Sequence, residues 1–144
     1  MEITNVPRSI DFNIPADNLS AAFIALRKED PKIKHGGYSW HARIVLNAYD
    51  NLRFHKILYG SKSLREVFNK IGFNTGVDDH GSLCLVGYHD LVEFGMVART
   101  LRMVAPYADP ESFIEWVNSE GDSWTEIFKG GERTITNEIT AEDL

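Results

Sequence analysis

Cysteine is almost absent: Cys84 is the single one among 144 residues, so no disulfide can form within the chain. It sits in the apolar run Leu83-Cys84-Leu85-Val86, which reads as a buried strand rather than as the setting of an activated thiol. Long hydrophobic runs are missing as well. The longest spans a few residues, and MEITNVPRSIDF carries no basic region followed by an apolar stretch, which argues against a signal peptide or membrane span and for a cytoplasmic protein. Basic residues are in deficit, with 15 Lys and Arg against 21 Asp and Glu and a formal net charge of -6. That balance argues against direct nucleic-acid binding, which needs cationic surface to displace counterions, and suits solubility or a basic partner. Catalytic strings are lacking too. Without G-x-S-x-G, H-E-x-x-H, C-x-x-C or G-x-G-x-x-G, the familiar hydrolase, zincin, redox and dinucleotide-binding routes have no sequence support. Finally, no internal repeat, low-complexity tract or long Gly/Ser linker divides the chain, which predicts one domain over 1–136 and an acidic tail over 137–144 that holds Glu138, Glu142 and Asp143.

What is present suffices for a folded core, since 43% hydrophobic and 25% charged residues are ordinary values for a globular domain. Ile10, Phe12 and Ile14 alternate with Asp11 and Asn13, which predicts a first strand ended by Pro15. Asp17 then caps a helix with the stripe Leu19, Ala22, Phe23 and Leu26. Ser63-Leu64-Arg65-Glu66 is a capping box, so a second helix is expected from Leu64 to Ile71, closed by Gly72 in the left-handed conformation. Ser82 to Tyr88 reads as an interior strand, and Asn74 to Gly81 as a loop. Asp90 is expected to cap a third helix over Leu91 to Ala105, stopped by Pro106.

Two stretches carry more information. Between Tyr38 and Tyr59, apolar residues fit both a period of two and a helical period, and a β-hairpin turning at Asp50-Asn51 is the expectation, with a helix as the alternative. Phe113 to Arg133, FIEWVNSEGDSWTEIFKGGER, reads as a hairpin. A two-residue Glu120-Gly121 turn pairs Val117 with Trp124, Trp116 with Thr125, Glu115 with Glu126, Ile114 with Ile127 and Phe113 with Phe128. Gly130-Gly131 then sends the chain back as a third strand. The elements together predict an α+β fold, a mainly antiparallel sheet with three helices packed on one face.

Ile114-Glu115-Trp116, Glu120-Gly121-Asp122, Trp124, Phe128 and Gly130-Gly131 resemble the C-terminal hairpin of small bacterial and phage-encoded α+β proteins of unknown function. The likeness covers about the last fifth of the chain. It implies no activity, but it points toward an accessory protein of a mobile element.

The candidate chemistry is sparse. Glu115 and Glu126, directly opposed, would repel unless a proton or cation lay between them; Lys129, Arg133 or a turn one residue longer would relieve this. Ser61, Lys62 and Ser63 offer hydroxyls and an ammonium to a phosphate, although Ser63 is also the helix cap. Asp78, Asp79, His80, His89 and Asp90 are metal-ligand types, but a straight strand holds His80 and His89 about 30 Å apart, so no metal site is assigned. His41 and His55 fall on opposite faces of the expected hairpin, which removes an acid-base pair. Arg99 and Arg102, near Met96 and Met103, and Trp116 are the expected protein-contact residues. The leading expectation is a non-enzymatic factor without cofactor that binds another protein, such as an inhibitor or anti-defence protein of a phage or mobile element. The alternative is a small-molecule or nucleotide-binding domain or enzyme with a pocket between helices and sheet. A homo-oligomer formed by edge-to-edge pairing of the C-terminal meander is a third reading.

Overall fold

A computed structural model of the protein describes residues 4–28, 48–129 and 132–136. Residues 29–47, which include the first part of the expected hairpin, the Gly130-Gly131 turn and the acidic tail lie outside the described residues. The alternation around Phe12 makes a strand that starts earlier than its apolar pattern, β1 at Asn5–Ile14. The register against its neighbour shifts between Pro7 and Ser9, where a residue without an N–H is tolerated. A 3-10 turn at Ala16–Asn18 leads into α1, Leu19–Lys28, which buries Ala22 and Leu26.

The hairpin expected over 38–59 is overturned in its described part. Ala48–Gly60 is a helix, α2, because Phe54, Leu58 and Ser61 recur at i, i+4 and i+7 and are all buried against the core. Arg27 of α1 closes the C-terminal end of α2, donating from Nε to Leu58 O at 3.2 Å and from Nη2 to Ser61 O at 2.6 Å. A cation at the carbonyl end of a helix meets both the unpaired acceptors and the negative pole of the helix dipole. The described residues therefore hold four helices rather than three.

The Ser63 half of the capping box forms as expected, and the Glu66 side chain reaches back one residue beyond the cap. Ser63 Oγ accepts from Glu66 N, and Glu66 Oε1 accepts from Lys62 N, which opens α3 at Leu64–Lys70. Gly72 follows with φ +117°, and a β-carbon there would stand 2.2 Å from His89 O. Its own carbonyl accepts from His89 N at 2.9 Å, so the two backbones cannot separate freely. Gly72→Ala is expected to cost about 3 kcal/mol. Urea unfolding of the variant checks this, and a cost below about 1 kcal/mol would refute the close approach.

The stretch expected to loop contains β2, Phe73–Val77, paired antiparallel with β3, Leu83–Tyr88. Asn74, Thr75 and Gly76 concealed it as turn-formers, yet Phe73 is buried and anchors the strand. Arg65 reaches across from α3 to β2, donating to Thr75 Oγ1 at 2.8 Å and to Thr75 O at 3.3 Å. The third expected helix begins later than Asp90: α4 is Phe94–Val104, with the Glu93 side chain accepting from Gly95 N. It buries Val97, Ala98, Leu101 and Val104 as its stripe requires, whereas Leu91 is exposed outside it.

The C-terminal meander forms β4 at Phe113–Asn118, β5 at Ser123–Ile127 and β6 at Thr134–Thr136. All six strands join one antiparallel sheet in the order β2-β3-β1-β4-β5-β6. Phe12, Ile14, Leu83, Leu85, Ile114 and Trp116 on the strands, with Phe128 just after β5, are buried and join the helix stripes in a single hydrophobic cluster. Among the described strands, β3 and β1 lie in the interior and β2 and β6 at the two ends of the order. No helix among the described residues is long and apolar enough to cross a membrane.

Candidate functional site

The geometry of the C-terminal hairpin decides the fate of the carboxylate pair. Ile114 faces Glu126, Glu115 faces Thr125 and Trp116 faces Trp124, one residue out of step with the expected pairing. Glu115 and Glu126 are therefore not opposed. The cause lies in the turn. A two-residue loop would force Glu120 to a positive φ, whereas the observed three-residue loop places only Gly121 there, at φ +90°. Asn118 fixes it, its Oδ1 accepting from Glu120 N at 2.9 Å and Asp122 N at 3.0 Å.

The slip carries Glu126 to the core face, because a one-residue change of register inverts the side of every side chain. Glu126 is fully buried, and Arg133 Nε donates to its Oε2 at 2.5 Å. Burial pushes the Glu126 carboxyl upward; the Arg133 charge and hydrogen bond, and then the nearby Trp116 indole N–H, pull it back without cancelling the rise. The indole does not complete an aligned hydrogen bond, since Trp116 Nε1 and Glu126 Oε1 are both buried without one. The arrangement is a buried ion pair inside an aromatic cluster, and its plain role is structural.

Trp116 and Arg99 were expected at the surface and are not there. Trp116 is 0% exposed, ringed by Phe73, Tyr88, Phe94 and Trp124 with ring centroids between 4.9 and 6.4 Å away. Arg99 is 1% exposed, and its Cζ lies 5.9 Å from the Phe54 ring centroid, so α2 covers it. Arg102 remains half-buried on α4. Of the phosphate candidates, Ser61 is buried and donates to Ile57 O at 2.6 Å, and Ser63 is held by the helix cap. Only the Lys62 ammonium is left without a hydrogen bond or ion pair among the described residues.

The remaining polar candidates separate. His80 and His89 flank β3 at its two ends, and Asp78 Oδ1 accepts from His80 N and Ser82 N, both at 2.9 Å, as a turn-closing carboxylate does. No three His, Cys, Asp or Glu side chains converge to hold a metal ion among the described residues. Cys84 is half-buried, and desolvation followed by the Asp78 charge raises its thiol, which disfavours the reactive thiolate. Burial, and then the Asp90 carboxylate, likewise push the Tyr88 hydroxyl upward.

The surface that does stand out was hidden by the hairpin reading. Tyr49 is 72% exposed, Tyr59 53% and Leu52 44%. Together with exposed Arg53 and Lys56 they occupy one side of α2, opposite buried Phe54 and Leu58. Asp50, the acidic residue in the first turn of this helix, is buried, so the outward face is aromatic and cationic. His55 packs against Tyr59 with tilted rings 4.6 Å apart, and Arg53 Nη2 donates to Leu91 O at 3.3 Å, which orders part of that face. The signal available in the sequence was the helical recurrence of Phe54, Leu58 and Ser61.

The architecture and this face define an α+β protein with a helix-layered, six-stranded antiparallel sheet. No protein-family model matches the chain, and neither the curated proteins nor the solved structures contain a match to it.

Proposed function

We propose that the protein acts by binding another protein, as an inhibitor or accessory factor of a phage or mobile element, and that the outer face of α2 is its contact surface. The observation that carries this reading is the exposure of Tyr49, Leu52 and Tyr59 between Arg53 and Lys56. Tyrosine and arginine are the residue types over-represented at contact surfaces, and three large exposed side chains stand together on one helix side. The overall acidity of the chain suits a basic partner, but this face asks for an acidic one. The mobile-element setting rests on the IEW and EGD resemblance of the C-terminal hairpin.

The test is affinity capture from cells that carry the gene, with wild type beside a Tyr49→Ser, Tyr59→Ser variant and a Lys56→Glu variant. A stoichiometric partner is expected with wild type, absent from the double variant, and weakened about tenfold or more by the charge reversal. Thermal unfolding should be unchanged in all three, because these side chains are exposed. A partner retained by both variants, or no stoichiometric partner at all, would sink the reading.

A further inference from the structure

A second feature, independent of the α2 face, lies where α1 and the start of α3 meet the β2–β3 strands. A groove of about 360 Å³ opens there, within the range of small-molecule sites. Its walls are Leu19 and Phe23 from α1, Leu64 from α3, Val77 from β2 and Leu83 from β3. The polar part of the lining is Ser20, Lys62, Ser63 and Arg65, with two cations and no acid. In a chain of net charge -6, that local balance selects an anion. We infer that the groove binds a medium-chain aliphatic carboxylate, its tail on the apolar walls and its head group against the Lys62 ammonium.

The groups around the groove are unequal in what they have left to offer. Ser63 Oγ already accepts from Glu66 N, and the Lys62 N–H is taken by Glu66 Oε1, so both of these backbone donors at the start of α3 are engaged. The head group is met by side chains. Arg65 is held on β2 by its two bonds to Thr75, which fixes one cation at the rim without rotamer loss on binding. Lys62 has no such restraint among the described residues and is the group that must pair with the ligand. A polyanion such as phosphate has no use for the apolar walls, whereas a neutral alkyl chain has none for the cations; a carboxylate on a hydrocarbon tail satisfies both. The larger groove of about 480 Å³ between α1 and Met103, Pro106 and Tyr107 has Lys28 as its one charged lining residue, at the end of a described segment. The smaller groove has the better-matched chemistry.

The experiment is a two-dimensional amide NMR titration of the whole protein with octanoate, 1-octanol and inorganic phosphate. Octanoate should give saturable shifts at Phe23, Lys62, Leu64 and Val77. Loss of one charge-assisted contact makes 1-octanol about tenfold weaker, and the same loss is expected for octanoate on Lys62→Met. Octanol affinity should not change in that variant, and phosphate should not saturate. Val77→Asp places a charge on an exposed wall position and should remove octanoate binding while the unfolding temperature stays within error. Equal affinity for octanol and octanoate, shifts elsewhere, no saturation with octanoate, or an unaltered Lys62→Met would each overturn the inference.

Discussion

Trp116→Ala is expected to destabilise the protein by about 3–5 kcal/mol, the usual cost of removing a large aromatic from a packed interior. Nothing about partner binding need be invoked. The indole is 0% exposed and is the hub of the aromatic cluster that joins Phe73 and Tyr88 of the β2–β3 pair to Phe94 of α4 and Trp124 of β5. Its loss removes contacts from both halves of the sheet at once, and the remaining rings are too rigid to close the space. In thermal unfolding the midpoint should fall by roughly 10 °C or more for a chain of this size. A fall of less than about 3 °C would mean that the cavity collapses or that the side chain is not the hub it is described to be. A Trp116 variant that loses a partner is therefore expected to lose it by unfolding, unlike the α2-face variants, which should stay folded.

Removing Arg133 should have an effect of similar size with a different pH signature. Arg133→Ala leaves the fully buried Glu126 without its cation, and breaking a buried pair from one side costs about 3–5 kcal/mol. The Glu126 carboxyl already stands above its ordinary value in the folded protein, driven by desolvation. A carboxyl that is raised on folding binds its proton more tightly in the folded state, so its contribution to stability falls as pH rises from the unfolded carboxylate range through the folded value. Arg133 lowers that folded value, and the variant must raise it further. The deficit against wild type is thus largest at neutral pH and shrinks on acidification, as Glu126 becomes protonated and needs no cation. Urea midpoints at pH 7 and pH 5 measure it. A deficit independent of pH would show that Arg133 acts through packing alone. Glu126→Leu combined with Arg133→Met should recover most of the loss, since an apolar replacement of a buried pair is often neutral or stabilising.

The elements that the sequence announces are those whose signals are local. Ser63 with Glu66, Gly72 after the helix, Pro15 and the alternation Ile10-Phe12-Ile14 each act within a few residues, and each appears in the structure where it was read. The meander too was visible as three strands, but its register depended on whether Glu120 adopts a positive φ, a question of about 1–2 kcal/mol that alternation cannot answer. That single step decided the candidate carboxylate pair, separating Glu115 from Glu126 and sending the latter into the core. Within residues 38–59 the two periods compete, and tertiary packing of Phe54 and Leu58 settled the described part as a helix. It is α2 that covers Arg99 and that brings Tyr49 and Tyr59 onto one surface, so neither feature is legible without it. The groove at Lys62 was half-legible. Ser61, Lys62 and Ser63 were read as a polar site, but the apolar walls come from α1 and from β2, a strand that Asn74, Thr75 and Gly76 disguised as a loop.

The position of β1 has a consequence for how the fold is reached. β2-β3 on one side and β4-β5-β6 on the other are each assembled from chain-adjacent strands, and β1 alone is hydrogen-bonded to both groups. At one end Thr4 N is tied to Ser119 Oγ across 115 positions of chain. The local hairpins can close early, with little loop entropy to overcome, while the strand that joins them must wait for partners far downstream. On a ribosome, β1 would emerge well before both of its partners and stay unpaired until they follow. Until then the edges of β3 and β4 stand open as templates for any extended segment, so the time to insert β1, rather than the strength of the finished sheet, sets the period in which the young chain is exposed to mispairing.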